Sequence, residues 1–523
     1  MKVEFRGIKT CYELKDEYGR VGVFTAEHIK EAVTKGEMEI SDELAKLLSI
    51  NNVSNNVEGD VSNLLQRSKE EISKWNHDVG AAINKCEKLL RLKEVVSQVD
   101  RSIGDGVYLI PYKPEQHIYI LYISDKVTDV VWGDAKLHNL CEEKYFVEKL
   151  IVVGGRNLTT CAYMFNDCNK FKQLDVSHFD TSNVKVMNSM FSTCISLQRL
   201  DLSHFDTSNV ESMKYMFDSC KFLKQLDVSH FDTSNVKVMN GMFAGCKSLQ
   251  QLDVSHFDTS NVKVMNRMFG NCESLQQLDV SHFDTSNVTD MNGMFGDCKS
   301  LQQLDVSHFD TSKVSDMEKM FSECESLQQL DVSHFDTSNV SNMNKMFCDC
   351  QSLKKLDVSH FNTSNVKDMV GMFKNCESLQ QLDVSHFNTF NVESMEYMFK
   401  NCESLQQLDV SHFNTSNVES MECMFGGCES LQQLDVSHFN TSNVTNMNCM
   451  FISCKSLRQL DVSHFNTSNV TNMNFMFVSC KSLRQLDLSH FNTSNVRYRV
   501  GMCDGCEYRR TFKGIERFGY YIG

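Results

Sequence analysis

The phrase Leu-Asp-Val-Ser-His-Phe, or Leu-Asp-Leu-Ser-His-Phe, begins at Leu174 and returns every 26 residues, at Leu200, Leu226, Leu252, Leu278, Leu304, Leu330, Leu356, Leu382, Leu408, Leu434, Leu460 and Leu486. A period held through thirteen copies without a slip leaves few folds open. Each copy has to sit in the same relation to its neighbours, so the chain stacks copies along one axis instead of forming unrelated domains. Composition agrees: 523 residues hold 22 Cys, 28 Met and 35 Phe but only 2 Pro, the bias of one unit repeated. With 41% hydrophobic residues there is enough apolar surface for a large core, which excludes a wholly disordered chain.

In the copy that starts at Leu249, apolar residues stand at Leu249, Leu252, Val254 and Phe257, the L-x-x-L-x-L spacing of a leucine-rich repeat. That spacing predicts a strand over LQQLDVS, with Leu252 and Val254 inward and Gln251, Asp253 and Ser255 outward. After the polar Asp258-Thr259-Ser260-Asn261, steps of three and four connect Val262, Met265, Met268, Phe269 and Cys272, which predicts a short amphipathic helix capped by the Thr-Ser-Asn run. The expected fold class is α/β: a leucine-rich-repeat solenoid of 26-residue strand-helix coils with a parallel concave sheet, preceded by a small α/β element and a long helical region. One copy buries too little to order itself, so stability has to come from stacking.

The phrase LDVSHFDTSNVTDMNGMFGDCKSLQQ closely resembles the 26-residue repeat of the BspA-like leucine-rich repeat proteins, a bacterial group of surface proteins, over about Asn157 to Cys506. The resemblance implies an adhesive or ligand-binding solenoid that is commonly exported. The first twenty residues carry charges throughout and lack an apolar signal stretch, and no run of 18 apolar residues occurs, which leads to a cytoplasmic expectation with the cell surface as the alternative from the family.

One acidic residue recurs on the outward side of every expected strand: Asp175, Asp201, Asp227, Asp253, Asp279, Asp305, Asp331, Asp357, Asp383, Asp409, Asp435, Asp461 and Asp487. With Ser255, His256 and their equivalents, these form the candidate binding face. Neighbouring carboxylates at coil spacing repel by roughly 3 kcal/mol per pair at an effective dielectric near 20. Protonation, hydrogen bonds from nearby Ser and Gln, cations or a basic partner could relieve that repulsion. Thirteen histidines run beside the acids and should add positive charge between about pH 7 and 5.

The same row shown thirteen times suits a repetitive or multivalent partner. It does not suit catalysis, which needs one unique cluster of acid, base and nucleophile. The expected function is therefore a non-enzymatic scaffold for a protein or repetitive polymer of basic character, with no cofactor, no metal, no nucleic acid and no membrane span; the net charge of −16 argues the same way on nucleic acid.

The remaining repeated positions read as structural. Met and Phe are core, the Cys series from Cys168 to Cys506 is a buried reduced column, and Asn183, Asn209, Asn235, Asn261 and their equivalents bond from coil to coil, with Lys313 the exception. Cys348, Cys423, Cys449 and Cys503 fall outside the main series. Residues just before each Cys vary most, which places diversity on the expected helix side.

The expected organisation is a small α/β element at 1–58, a long amphipathic helix at 59–105, a strand-rich N-terminal cap at 106–156, the solenoid at 157–511 and a tail at 512–523. Within the helix, Leu65, Ile72, Val79 and Cys86 recur every seven residues, as do Trp75, Ala82, Leu89 and Val96. That heptad seam over 61–99 offers homo-oligomerisation, and hence a second reading as a structural or assembly protein.

Overall fold

Every apolar position of the repeat is driven inside the same narrow coil. In the computed structural model Leu249, Leu252, Val254, Phe257, Val262, Met265, Met268, Phe269 and Cys272 are all buried, and the same nine positions are buried in successive copies. The structure describes residues 2–4, 11–15, 21–25, 100–104, 106–128, 137 and 146–518. Two units are present, Met1–Val96 and Ser97–Gly523. The first contains an antiparallel sheet of β1 (Lys2–Glu4), β2 (Cys11–Lys15) and β3 (Val21–Thr25) in that order.

The second unit begins with a five-stranded sheet in the order β4 (Asp100–Gly104), β5 (Val107–Lys113), β6 (Ile118–Ile123), β7 (Lys149–Gly154) and β8 (Gln173–Phe179). β4 to β6 pair antiparallel, while β6–β7 and β7–β8 pair parallel, so this sheet hands over directly to the first full coil. Two-residue strands β9 (Arg199–Leu200) and β10 (Gln225–Leu226) continue the direction as a separate parallel pair.

Two expectations fail here. The strand phrase does not make a continuous sheet: beyond β10 its bridges are Gln277↔Gln303, Lys355↔Gln381, Gln459↔Gln485 and, to the C-terminal segment, Asp487↔Lys513. The cause is local. The Ser255 amide donates to Asp253 Oδ1 at 3.0 Å and the Phe257 amide to the Val254 carbonyl at 3.0 Å, so these donors are used inside the coil.

The helix fails as well. From Lys149 through Asn495 the coils contain no α-helix, and Met265–Cys272 is a pair of linked turns. Met268 N donates to Met265 O and Cys272 N to Phe269 O, with Arg267 and Asn271 at φ 54° and 60°. A left-handed third residue is the mark of a type II turn and is foreign to a helix. The alternate amides leave the coil: Arg267 N reaches Asn292 O at 2.8 Å, Phe269 N reaches Met294 O at 3.0 Å and Asn271 N reaches Gly296 O at 2.7 Å. A helix would keep those donors within itself, and the stack would lose them.

The continuous ladder therefore lies half a coil away from the strand phrase. Parallel bridges pass from Thr160 to Val186, Ser212, Val238, Val264, Asp290 and on to Tyr498. The ladder is bonded in every coil, for example Lys263 N to Lys237 O and Thr289 N to Lys263 O, both at 3.0 Å, whereas on the Leu side Gln276 reaches Gln250 and Gln302 reaches Gln276 at 3.3–3.4 Å. Beneath the ladder, Phe165, Phe191, Phe217 and their equivalents to Phe477 stack face to face, with centroids 5.4 Å apart at the first step, 5.8 Å in mid-array and 5.5 Å at the last.

The long helix expected over 59–105 is not supported. Its described C-terminal end, Asp100–Gly104, is strand β4, because Asp100 and Gly104 pair with Leu109 and Val107. Its heptad seam over 61–99 lies outside the described residues.

Candidate binding face

The copy at Leu252 carries Asp-x-Ser twice, at Asp253-Val254-Ser255 and at Asp258-Thr259-Ser260, and both occurrences fold as Asx turns. At the first, Asp253 Oδ1 accepts the Ser255 amide at 3.0 Å and the Ser255 hydroxyl at 2.7 Å. The geometry returns at Asp175, Asp227, Asp279, Asp305, Asp331, Asp357, Asp383 and Asp487, and the amide bond also at Asp201, Asp409, Asp435 and Asp461. The structure thus gives all thirteen sequence-predicted acids one local arrangement. From Asp201 to Asp461 they face solvent, and the two terminal members, Asp175 and Asp487, are half-buried.

Those donors settle how the column bears its own repulsion. The Ser hydroxyl and amide hold the Asp253, Asp279, Asp305, Asp331, Asp357, Asp383, Asp409 and Asp435 carboxyls below the usual carboxylate range. These carboxyls are ionised at neutral pH, with hydrogen bonds in the place of protonation. Neighbouring acids still raise one another, as Asp305 does for Asp279.

Histidine joins the same network. Ser255 Oγ lies 3.0 Å from His256 Nδ1, and the contact repeats at His282, His308, His334, His360 and His386 within 2.9–3.1 Å. A serine hydroxyl has one hydrogen, here given to the aspartate, so Nδ1 must be the donor to Oγ. The neutral ring therefore keeps its lone pair on Nε2, while the protonated ring donates from both nitrogens. At mid-array the face presents, coil after coil, a carboxylate and an imidazole joined through one serine. His230 differs, with Nε2 2.9 Å from the Leu202 carbonyl.

A second acidic column, to which sequence reasoning assigned no role, is exposed from Asp206 to Asp336. Asp232, Asp284 and Asp310 are held low by Ser234, Ser286 and Ser312 in the same way. After Asp336 this column becomes Asn362, Asn388 and Asn414, and the turn survives: the Ser364 amide donates to Asn362 Oδ1 at 3.1 Å. The repeated Asp-x-Ser spacing was the signal for it.

Between these columns the structural ladders are strict. Thr259 is buried, and its hydroxyl donates to the Asp284 carbonyl of the next coil at 2.9 Å. Asn261 donates to the Ser234 carbonyl at 2.8 Å, so the asparagines bond to the neighbouring backbone and not to one another. Lys313 departs by donating to Asn287 Oδ1 at 2.9 Å. The in-register thiols are buried and donate to Phe carbonyls, Cys272 to Phe243 O at 3.2 Å for example.

Among the described residues, no group of three or more His, Cys, Asp or Glu converges on one point, and no helix is long and apolar enough to cross a membrane. A shallow depression on the last coils is lined by Asn469, Thr471, Ser494, Asn495, Val496 and Arg497, a set with no acid and no nucleophile–base pair.

Comparison with known proteins follows the repeat. A family model described as "Mycoplasma protein of unknown function, DUF285" matches residues 144–252, 198–278, 222–331, 324–435 and 401–512. The crystal structure of a leucine-rich repeat protein from Eubacterium ventriosum is 15% identical and covers 59% of this chain and 95% of that one, with a TM-score of 0.29. No curated protein matches.

Proposed function

We propose that this chain, which belongs to the DUF285 family of Mycoplasma proteins of unknown function, is a non-enzymatic scaffold whose Asp-Ser-His columns bind a repetitive partner of basic character. One observation carries the reading. In the second column Asn replaces Asp from Asn362 onward and keeps the same turn, so a carboxylate is not needed to fold it. The first column could change in the same way, yet all thirteen copies keep Asp. What Asn cannot supply is the charge. Adhesion, which the BspA-like resemblance implies, is one use for such a surface.

A ligand with cations at coil spacing gains from many weak contacts at once. Polylysine of defined length is the probe. Wild-type protein should bind it with an affinity that falls steeply with salt. D253N, D279N, D305N and D331N together should weaken binding at least tenfold while a cooperative thermal transition shows that the array is still folded. Charge neutralisation of Glu377, Glu403 and Glu429 should have little effect. Equal losses in both sets would reduce the face to net charge alone and overturn the proposal. Acidification should also weaken binding, because each added imidazolium lies beside an Asp253-type acid that holds the ligand.

A further inference from the structure

We propose that Cys423 and Cys449 form a thiol–disulfide exchange site, one that reacts with a small-molecule disulfide and closes a covalent bridge between adjacent coils. Both are off the main cysteine series, and they stand 26 residues apart at the same register, two places before Phe425 and Phe451. The stack holds them side by side. Cys423 N donates to Asn448 O at 2.8 Å, and the neighbouring Phe425 and Phe451 rings lie 5.7 Å apart with planes 7° from parallel. A disulfide needs Cα atoms roughly 4.4–6.8 Å apart, which one coil step supplies. Both residues have the same left-handed backbone, φ 51° and 56°, so their Cβ vectors leave the coils in the same direction.

Cys449 Sγ donates to Asn448 Oδ1 at 3.4 Å, and the two thiols interact with each other. That pairing holds the Cys449 thiol below its usual range, and Lys400 adds to the effect against burial and Glu422; the Cys423 thiol is pushed up, first by its contact with Cys449 and then by burial. Cys449 is partly exposed, whereas Cys423 is only 6% exposed behind it. In the main series Cys480 and Cys506 make a similar contact, but both are buried and the Cys480 thiol is pushed up. Cys428 and Cys454, in the same two coils, are fully buried, donate to the Phe399 and Phe425 carbonyls, and are pushed up by burial. Reactivity follows the accessible thiolate, so Cys449 attacks and Cys423 resolves.

Written out, the Cys449 thiolate attacks one sulfur of a disulfide RSSR and expels RS⁻, which takes up the proton Cys449 released. Cys423 then loses its proton and attacks Cys449 Sγ in the mixed disulfide, and the second RS⁻ leaves as RSH. Two protein thiols are oxidised to one disulfide, and RSSR is reduced to two RSH.

Folded full-length protein treated with oxidised glutathione should lose the mass of two hydrogens, and non-reducing peptide mapping should join Cys423 to Cys449. The C423S variant should stop as a glutathione adduct on Cys449, and C449S should take up neither change at the site. No mass loss in folded wild-type protein would overturn the assignment, as would a bridge mapped to Cys428–Cys454 or Cys480–Cys506. The wild-type map decides even where a variant fails to fold.

Discussion

Two residues in every coil are held at positive φ, and most of the side chains found there follow from that demand. The position before the in-register Cys is Asn271, Asp297, Asp349, Asn375, Asn401, Gly427 or Gly505, residues that tolerate the left-handed region, with Ser219, Ser453 and Ser479 among the rest. The variety that sequence reasoning placed on a helix face is thus a turn requirement. The other position is more permissive and holds Arg267, Lys345, Tyr397 and Phe475 as well as Gly241, Gly293 and Gly371. Gly371 isolates the backbone contribution, since φ is 59° and an added Cβ would find Lys345 Cγ no nearer than 3.4 Å. Gly371→Ile should destabilise the array by about 1–2 kcal/mol through backbone strain, and Gly371→Asn by much less. Urea midpoints of the two variants check this; equal losses would mean that crowding is responsible.

The element of this protein is the coil, and its boundaries are set by hydrogen bonds that leave it. Thr311 shows the scale of one such bond: it is 1% exposed, and its hydroxyl donates to the Asp336 carbonyl at 2.9 Å. Thr311→Val keeps the shape and should cost about 0.5–1.5 kcal/mol, because the coil-to-coil hydrogen bond is lost. Thr311→Ser should retain the bond, and thermal melts that rank Ser below Val would contradict the ladder. The burial of Leu252, Val254, Met265 and Phe269 and the stacking in register were legible in the sequence, because apolar spacing and an unbroken period dictate them. The secondary structure was not. Steps of three and four at Met265, Met268 and Cys272 fit consecutive turns as well as a helix, and what separates the two is the left-handed demand at Arg267 and Asn271. Similarly, alternation at Leu252-Asp253-Val254-Ser255 reads as strand until Asp253 takes the Ser255 amide. The acidic column was legible as a surface; its link to His256 through Ser255 needed coordinates.

At the scale of the whole array, repetition turns small proton linkages into a measurable pH profile. The carboxyls of the Asp253 column have folded values below the ordinary 3.8, so the stability they contribute is full above that value and is lost as the pH falls through the lower folded values. Asp297 works in the opposite direction. Burial first, and then the Glu323 carboxylate in the next coil, raise it to about 6, so its charge opposes folding at neutral pH. Protonation relieves that cost as the pH falls from about 6 toward 3.8, where the unfolded chain takes up the same proton. Asp218 and Asp290 are raised as well, each by burial first, and add to the trend. The urea midpoint should therefore rise from pH 7 to a maximum near pH 4–5 and fall below about 3.8. Asp297→Asn should flatten the rise and leave the acid fall in place, while alanine at Ser255, Ser281, Ser307 and Ser333 should shift the fall and leave the rise. A midpoint that declines steadily from pH 7 would mean that the paired acids at Asp297 and Glu323 do not carry the opposing charge in the folded array.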